Sequence, residues 1–169
     1  SMDYGKTWEI ISPDLTTNDP EKQKAARETG GLTPDVTNAE NHTTILAILP
    51  SPVDEKVLWV STDDGNLQLT RDGGKTWTNL ASKLPGVKAG SWIPYIEVSN
   101  KNAGEAFVVV NDYRRNDWRP MVFHTNNYGQ TFTKIVDENK VSGYAMCIVL
   151  DPVEPKLLWL GTDEGLWFS

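Results

Sequence analysis

Pro52-Val53-Asp54-Glu55-Lys56-Val57-Leu58-Trp59-Val60-Ser61-Thr62-Asp63-Asp64-Gly65 returns one hundred residues later as Pro152-Val153-Glu154-Pro155-Lys156-Leu157-Leu158-Trp159-Leu160-Gly161-Thr162-Asp163-Glu164-Gly165. The two stretches align without a gap and agree at 8 of 14 positions. Each reads as a turn, a short apolar strand and an acidic Gly turn. A weaker copy, Gly104 to Asp112, lies midway, with Asp112 in the place of Asp63. The repeating unit is therefore about 50 residues long, a period that points to stacked or radially arranged supersecondary units.

A second element recurs with the first. Thr70-Arg71-Asp72-Gly73-Gly74-Lys75-Thr76-Trp77 is matched by Ser1-Met2-Asp3-Tyr4-Gly5-Lys6-Thr7-Trp8 and by Thr125-Asn126-Asn127-Tyr128-Gly129-Gln130-Thr131-Phe132. The shared pattern is S/T-x-D-x-G-x-T-W, with Asn for Asp and Phe for Trp in the last copy. A carboxylate in a tight hairpin accepts backbone N–H bonds. The glycine supplies a positive φ, and the aromatic packs the hairpin on its sheet. Asp3, Gly5 and Trp8, Asp72, Gly74 and Trp77, and Asn127, Gly129 and Phe132 are therefore read as structural.

Short apolar runs between these turns predict an all-β chain. A tandem unit of this length with four antiparallel strands is a β-propeller blade. First strands are expected at 45–49, 92–98 and 145–150, second strands at 57–61, 106–111 and 157–161. Third strands are expected at 67–70, 121–125 and 166–169, and fourth strands at 76–80, 131–136 and 8–11. The chain divides into an opening turn and outer strand (1–11), a long interblade loop (12–44), blades at 45–82 and 83–137, and an incomplete blade at 138–169. About three four-stranded antiparallel blades make a partial propeller, since propellers have roughly 4–8. The final strand lacks a fourth strand and residues 8–11 lack a third. These segments are expected to pair, with each other or with a second copy, because open strand edges invite pairing. Ser1-Met2 ahead of the first turn suggests a piece of a longer protein.

Composition narrows the functions. The 169 residues carry 23 acidic and 16 basic side chains, a formal net charge of −7. That balance argues against nucleic acid, whose binding rests on Lys and Arg. No apolar run reaches the ~18–20 residues of a membrane helix. One cysteine excludes an internal disulfide, and two histidines, His42 and His124, make no zinc motif. No metal or cofactor is expected. Cys147 reads as core, and Trp59 and Trp159 as packing between blades.

The repeated turns, together with Ile11-Ser12-Pro13-Asp14-Leu15-Thr16 and Tyr113-Arg114-Arg115-Asn116-Asp117-Trp118-Arg119-Pro120, make the chain resemble a segment of the bacterial Asp-box (bacterial neuraminidase repeat) propellers. That group includes sortilin-type receptor propellers, xyloglucan-hydrolysing glycosidases and plant photosystem assembly factors. The likeness is greatest to long bacterial proteins labelled glycosyl hydrolase or sortilin-like. It implies a secreted or periplasmic protein and a ligand face opposite the Asp boxes.

In a four-stranded meander, second-to-third turns and blade-to-blade links share one face. That face takes the links 13–44, 82–91 and 137–143 and the turns 63–66, 112–120 and 163–165. The first link is some 30 residues long, where most loops have about 4–6 and long ones tend to be functional. Its stretch 20–29 opens with proline and carries helix formers, so a short helix is expected. Tyr113, Arg114, Arg115, Asp117, Trp118 and Arg119 form the densest cluster. The arginines suit carboxylate, sulfate or phosphate, and the aromatics can stack on a sugar or a peptide side chain. The same residues also read as an interblade clamp, with the arginines held by Asp112 and Asp117 and Trp118 covering the next blade. Asp63 and Asp163 face the same way, but their recurrence favours a turn role over catalysis. His42 reads as a hydrogen bonder at a loop end, or as a base. Two functions stay open: a binding or scaffold propeller recognising glycan or peptide, and part of a glycoside hydrolase whose site extends to other blades.

Overall fold

The computed structural model describes residues 1, 3–23, 42–154 and 156–169. The chain is all-β, in three antiparallel sheets. The first is β1 (Ile45–Pro50), β2 (Leu58–Thr62), β3 (Leu67–Thr70) and β4 (Thr78–Asn79) in sequential order. The second is β5 (Trp92–Val98), β6 (Ala106–Asp112), β7 (Asp117–Thr125) and β8 (Thr133–Lys134). The third has β9 (Ala145–Leu150), β10 (Leu158–Thr162) and β11 (Leu166–Phe168), with β10 central. Single 3-10 turns occur at Ala81–Lys83 and Tyr113–Arg115. No helix among the described residues is long and apolar enough to cross a membrane.

The repeat fixes the register in each blade. Ile48 faces Val60, Ile96 faces Val108 and Ile148 faces Leu160. Trp59, Phe107 and Trp159 occupy the next position and face Leu49, Glu97 and Val149. Alternation along a strand sends these two series to opposite sides of each sheet. Stacking the sheets thus brings the Trp59 side of the first against the Ile96 side of the second. One core joins Trp59, Leu67, Leu69 and Leu80 to Ile93, Ile96, Val108 and Phe123. A second joins Phe107, Val109 and Val122 to Ala145, Ile148 and Leu160. All seven residues of β6 are buried, since its two sides enter the two cores.

The three repeated turns have one geometry. Ser1, Thr70 and Thr125 accept, through their hydroxyl oxygens, the N–H of Gly5, Gly74 and Gly129 at 2.8, 2.9 and 3.0 Å. Asp3, Asp72 and Asn127 accept the N–H of Thr7, Thr76 and Thr131 at 3.1, 2.9 and 3.1 Å. Trp8 and Trp77 donate from Nε1 to the carbonyls of Gly5 and Gly74 at 3.0 and 3.1 Å; Phe132 has no such donor. Gly74 has φ +94° and Gly129 φ +67°, a region that side chains with a Cβ enter at a cost.

The turns sort to two ends of the blades. Gly73 donates to the carbonyl of Lys56, and Tyr128 to that of Gly104, so third-to-fourth turns meet first-to-second turns. At the other end, second-to-third turns meet the links: Asp63 pairs with Thr44 and Asp163 with Tyr144.

Four expectations need correction. Residues 8–11 are not a strand, because no third strand lies beside them. They do not meet β11 within the chain, and Trp8 and Ile10 are exposed. Cys147 is exposed on the side of β9 away from Ile148. Trp159 is 38% exposed, unlike Trp59 at 0%. Strand β7 starts four residues before the expected 121, so the Asp112–Pro120 insertion is mostly a lengthened hairpin. Helical backbone begins at residue 20, and the remainder of the 20–29 expectation lies largely outside the described residues.

Candidate functional site at the link face

Each blade closes its first hairpin at this face with an acidic residue at the end of the second strand. Asp63 accepts the Thr44 N–H through its carboxylate at 2.7 Å, while its own N–H donates to the Thr44 carbonyl at 3.0 Å. Asp163 does the same with Tyr144, at 2.9 and 3.3 Å. Burial holds the Asp63 carboxyl above its ordinary pKa, against the opposing Thr44 N–H and His42. His42 Nε2 is shielded from solvent with no hydrogen-bond partner, so the loop-end hydrogen bonding expected of it is not made through that atom.

The middle blade solves the same closure differently. Asp112 is 5% exposed. Arg115 donates from Nε to Asp112 at 2.6 Å, and from its terminal nitrogens to the Ala89 carbonyl at 3.0 Å and Ser91 Oγ at 2.8 Å. One guanidinium thus ties the second-to-third turn to the incoming link, using the fork that makes arginine suited to several acceptors. Asn116, in the left-handed region at φ +60°, reverses the chain. Arg119 then grips Asp117 with two bonds of 2.8 and 2.7 Å. The Arg119 side chain holds the Asp117 carboxyl down at about 2.

With two arginines committed to carboxylates, four aromatics cluster beside them, Trp118 exposed and Trp92, Tyr113 and Tyr144 partly buried. Tyr113 stacks on Tyr144 with centroids 4.6 Å apart and planes at 24°. Trp118 tilts against both, at 6.1 Å from Tyr113 and 5.7 Å from Tyr144. Trp92 closes the back at 6.1 Å from Tyr113, with the Arg114 guanidinium 4.1 Å above its ring. Trp118 donates from Nε1 to Asn116 and leaves 52% of its surface exposed. The platform spans two blades, since Tyr144 belongs to the link entering β9. Trp92 and Tyr144 were not singled out in the sequence. Their signal is positional: both lie where a link enters a first strand, the end at which Tyr113 turns.

Beside it, a concavity of about 350 Å³ is lined by Thr17, Asp64, Asn66, Lys88, Gly90 and Ile93, among others. Asp64 is 2% exposed. Its carboxylate is fully engaged, accepting from the Thr17 N–H at 2.6 Å, the Thr17 hydroxyl at 2.7 Å and the Thr62 hydroxyl. Among the described residues no cluster of His, Cys, Asp and Glu could hold a metal.

No known family profile matches the chain, and no curated protein matches it. Solved structures do. An ancestral GH74 enzyme is similar with a TM-score of 0.58 and 16% identity over 76% of this chain and 17% of its own. YCF48 bound to D1 peptide gives a TM-score of 0.55 and 22% identity over 75% and 37%. YCF48 from Cyanidioschyzon merolae gives 0.52 and 20% over 74% and 33%. The three sheets and these likenesses together define the class: the chain has the blade architecture of a β-propeller. It spans well under half the length of each of these structures.

Proposed function

We propose that this chain is part of an Asp-box propeller of the bacterial neuraminidase repeat type, and that it recognises a glycan or a peptide through its link face. Blades at 45–82 and 83–137 and an incomplete one at 138–169 are its units. In this reading Asp3, Asp72 and Asn127 serve the turns. Tyr113, Arg114, Arg115, Asp117, Trp118, Arg119, Asp63, Asp163 and His42 lie on the recognition face. The observation that carries the reading is the exposed Trp118 ring, set against Tyr113 and Tyr144 across a blade junction. An aromatic cluster whose rings pack on one another, beside a loop tied down by the Arg115–Asp112 and Arg119–Asp117 pairs, is preorganised, so ordering it on binding costs little. YCF48, similar in fold, has been solved with a peptide bound, which supports a peptide as one class of ligand.

The glycoside hydrolase reading needs two carboxyls flanking the scissile bond, about 5–9.5 Å apart. Asp63, Asp112 and Asp163 instead recur at one blade position with oxygens on backbone N–H or arginine, and Asp64 is buried and saturated. The binding reading is therefore preferred.

Its test is a glycan array and a random-peptide library probed with the full chain, followed by titration of the best binder. Trp118→Ala should weaken that binder by about tenfold or more, as an aromatic anchor does, with the circular dichroism spectrum unchanged. An unaltered affinity, or no binder in either collection, overturns the reading.

A further inference from the structure

A second concavity, of about 390 Å³, lies on the other side of Trp118, with Trp118, Arg119, Pro120, Glu138, Asn139 and Ser142 among its lining residues. One wall is the hairpin between β6 and β7, and the other is the link from β8 into β9. Both walls are internal to the sequence, between the second blade and the third. Gly143 closes the second wall, and Tyr144, 5.7 Å from Trp118, follows it. The concavity therefore runs up to the aromatic cluster.

Its charges are matched. Arg119 holds Asp117 at 2.7 Å, Lys134 holds Glu138 at 2.6 Å and Lys140 holds Asp137 at 3.6 Å. These pairs leave little net charge at the rim to select an ionic ligand. They do leave hydrogen-bonding positions open. Arg119 meets Asp117 through Nε and Nη2, Glu138 meets Lys134 through Oε2, and Asn139 meets Asp137 through its two nitrogens. Arg119 Nη1, Glu138 Oε1, Asn139 Oδ1 and the Ser142 hydroxyl have no hydrogen-bond partner among the described residues. The first is a donor, the next two are acceptors and the hydroxyl is either. Lys134 holds the Glu138 carboxyl below its ordinary pKa, so it is an acceptor at neutral pH.

A fitting ligand lays an apolar face on an indole and offers uncharged groups at its edge that both donate and accept. A pyranose ring has this form, with C–H bonds on its face and hydroxyls around its rim. The Trp118 ring is held for such a contact by its Nε1 bond to Asn116 at 3.0 Å. A peptide added as a strand needs free main-chain groups on the strand beside it. Here Pro120 has no N–H, and the Arg119 N–H is directed to Asp117 at 3.4 Å.

We propose that this concavity is a subsite for a neutral pyranose residue of a glycan, with the sugar face on Trp118 and its hydroxyls on Arg119, Glu138, Asn139 and Ser142. It rests on the link face being the recognition surface, and it narrows the ligand of that surface to an uncharged saccharide.

The test is NMR titration of the full chain with neutral hexose and pentose oligosaccharides, with their uronic-acid and sulfated counterparts, and with peptides selected from a random library. A neutral oligosaccharide should shift the Trp118 indole N–H signal, identified by its loss in Trp118→Ala. The charged counterparts should bind no more tightly. Glu138→Ala and Asn139→Ala should each weaken the neutral binder by about two- to tenfold, the scale of a lost hydrogen bond. Both residues are exposed on the link, and an unchanged circular dichroism spectrum shows that each variant folds. A saccharide that shifts the Trp118 signal but binds both link variants as tightly as wild type overturns the subsite and leaves the link-face reading standing. So does binding confined to peptides or to charged oligosaccharides. The absence of any binder overturns both.

Discussion

Trp59 sits fully buried between the first and second sheets, whereas Trp159, one hundred residues later and in the same register, is 38% exposed. Its local surroundings are alike: each is on a second strand, flanked by Leu on its N-terminal side and paired to a first strand. What differs is the neighbour. The first junction has a whole second sheet on the Trp59 side, and Leu80 and Leu84 from the following segment help to seal it. The Trp159 side meets no further sheet among the described residues; Phe168 lies beside it, 5.9 Å away, and the Asp151 carboxylate is within reach of its indole. A residue of the repeat therefore has no fixed energetic value; its contribution is set by the junction.

The largest test of that comparison is the pair of truncations. Trp59→Ala should lower stability by about 3–5 kcal/mol, the range for deleting a buried aromatic. Trp159→Ala should lower it by less than about 1 kcal/mol, measured by urea unfolding of the monomer at high dilution, since surface changes are small. Equal losses would mean that position in the repeat, not the junction, sets the cost.

A smaller difference is expected between two glycines of the repeated turns. At Gly129 a Cβ would meet Leu80 and, at 3.1 Å, Phe132, in addition to the positive φ. At Gly5 it meets only its own Trp8 ring, at 3.4 Å and beyond. Gly129→Ala should therefore cost about 1–3 kcal/mol through crowding of a packed junction on top of backbone strain. Gly5→Ala should cost the backbone strain alone, and thermal midpoints of the two variants will rank them.

The smallest effect is that of acid on the turns. Asp72 is lowered from 3.8 to about 2, chiefly by the Thr76 hydroxyl and N–H and then by Thr70. Asp3 is lowered to about 2, first by the Ser1 hydroxyl. A carboxyl that is more acidic in the folded chain binds its proton later than in the unfolded chain. Its stabilisation is thus present above about pH 4 and lost as pH falls towards 2. Asn127 carries no such charge in the middle blade and donates from Nδ2 to Thr131 instead. Asp72→Asn should therefore lower the midpoint slightly at neutral pH and flatten the acid limb of the stability–pH curve, so that variant and wild type converge as pH falls towards 2. An identical acid limb in the variant would show that Asp72 does not contribute to it.

Much of this architecture was legible in the chain. The gapless return of 52–65 at 152–165, with the S/T-x-D-x-G-x-T-W turns, located the eleven strands of the described residues to within a few residues, and placed a twelfth at 8–11 that does not form. The turn residues and the strand order then place Asp63, Asp163 and Tyr113–Arg119 at one end of the blades. The pairing of Arg115 with Asp112 and Arg119 with Asp117 was also open to reading, because each partner is two or three residues away. Tyr144 was not, since its stacking on Tyr113 joins positions some thirty residues apart and depends on how two blades abut. Cys147 and Trp159 were misjudged for a related reason. Ala145–Leu150 is apolar on both sides, and a sequence does not say which side of such a strand has a neighbour. Residues 8–11 keep the composition of an outer strand, but a strand exists only by hydrogen bonding to another.

The complete burial of β6 has a kinetic consequence. Val108 and Val110 belong to the core shared with the first sheet, and Phe107 and Val109 to the core shared with the third. Neither flanking sheet can peel away without baring one side of this strand, yet either can do so while the other side stays covered. Opening is thus expected to proceed inward from the two ends as separate sub-global steps, each with its own free energy. The amide protons of β6 would be the last to exchange, held by whichever of the two cores dissolves later.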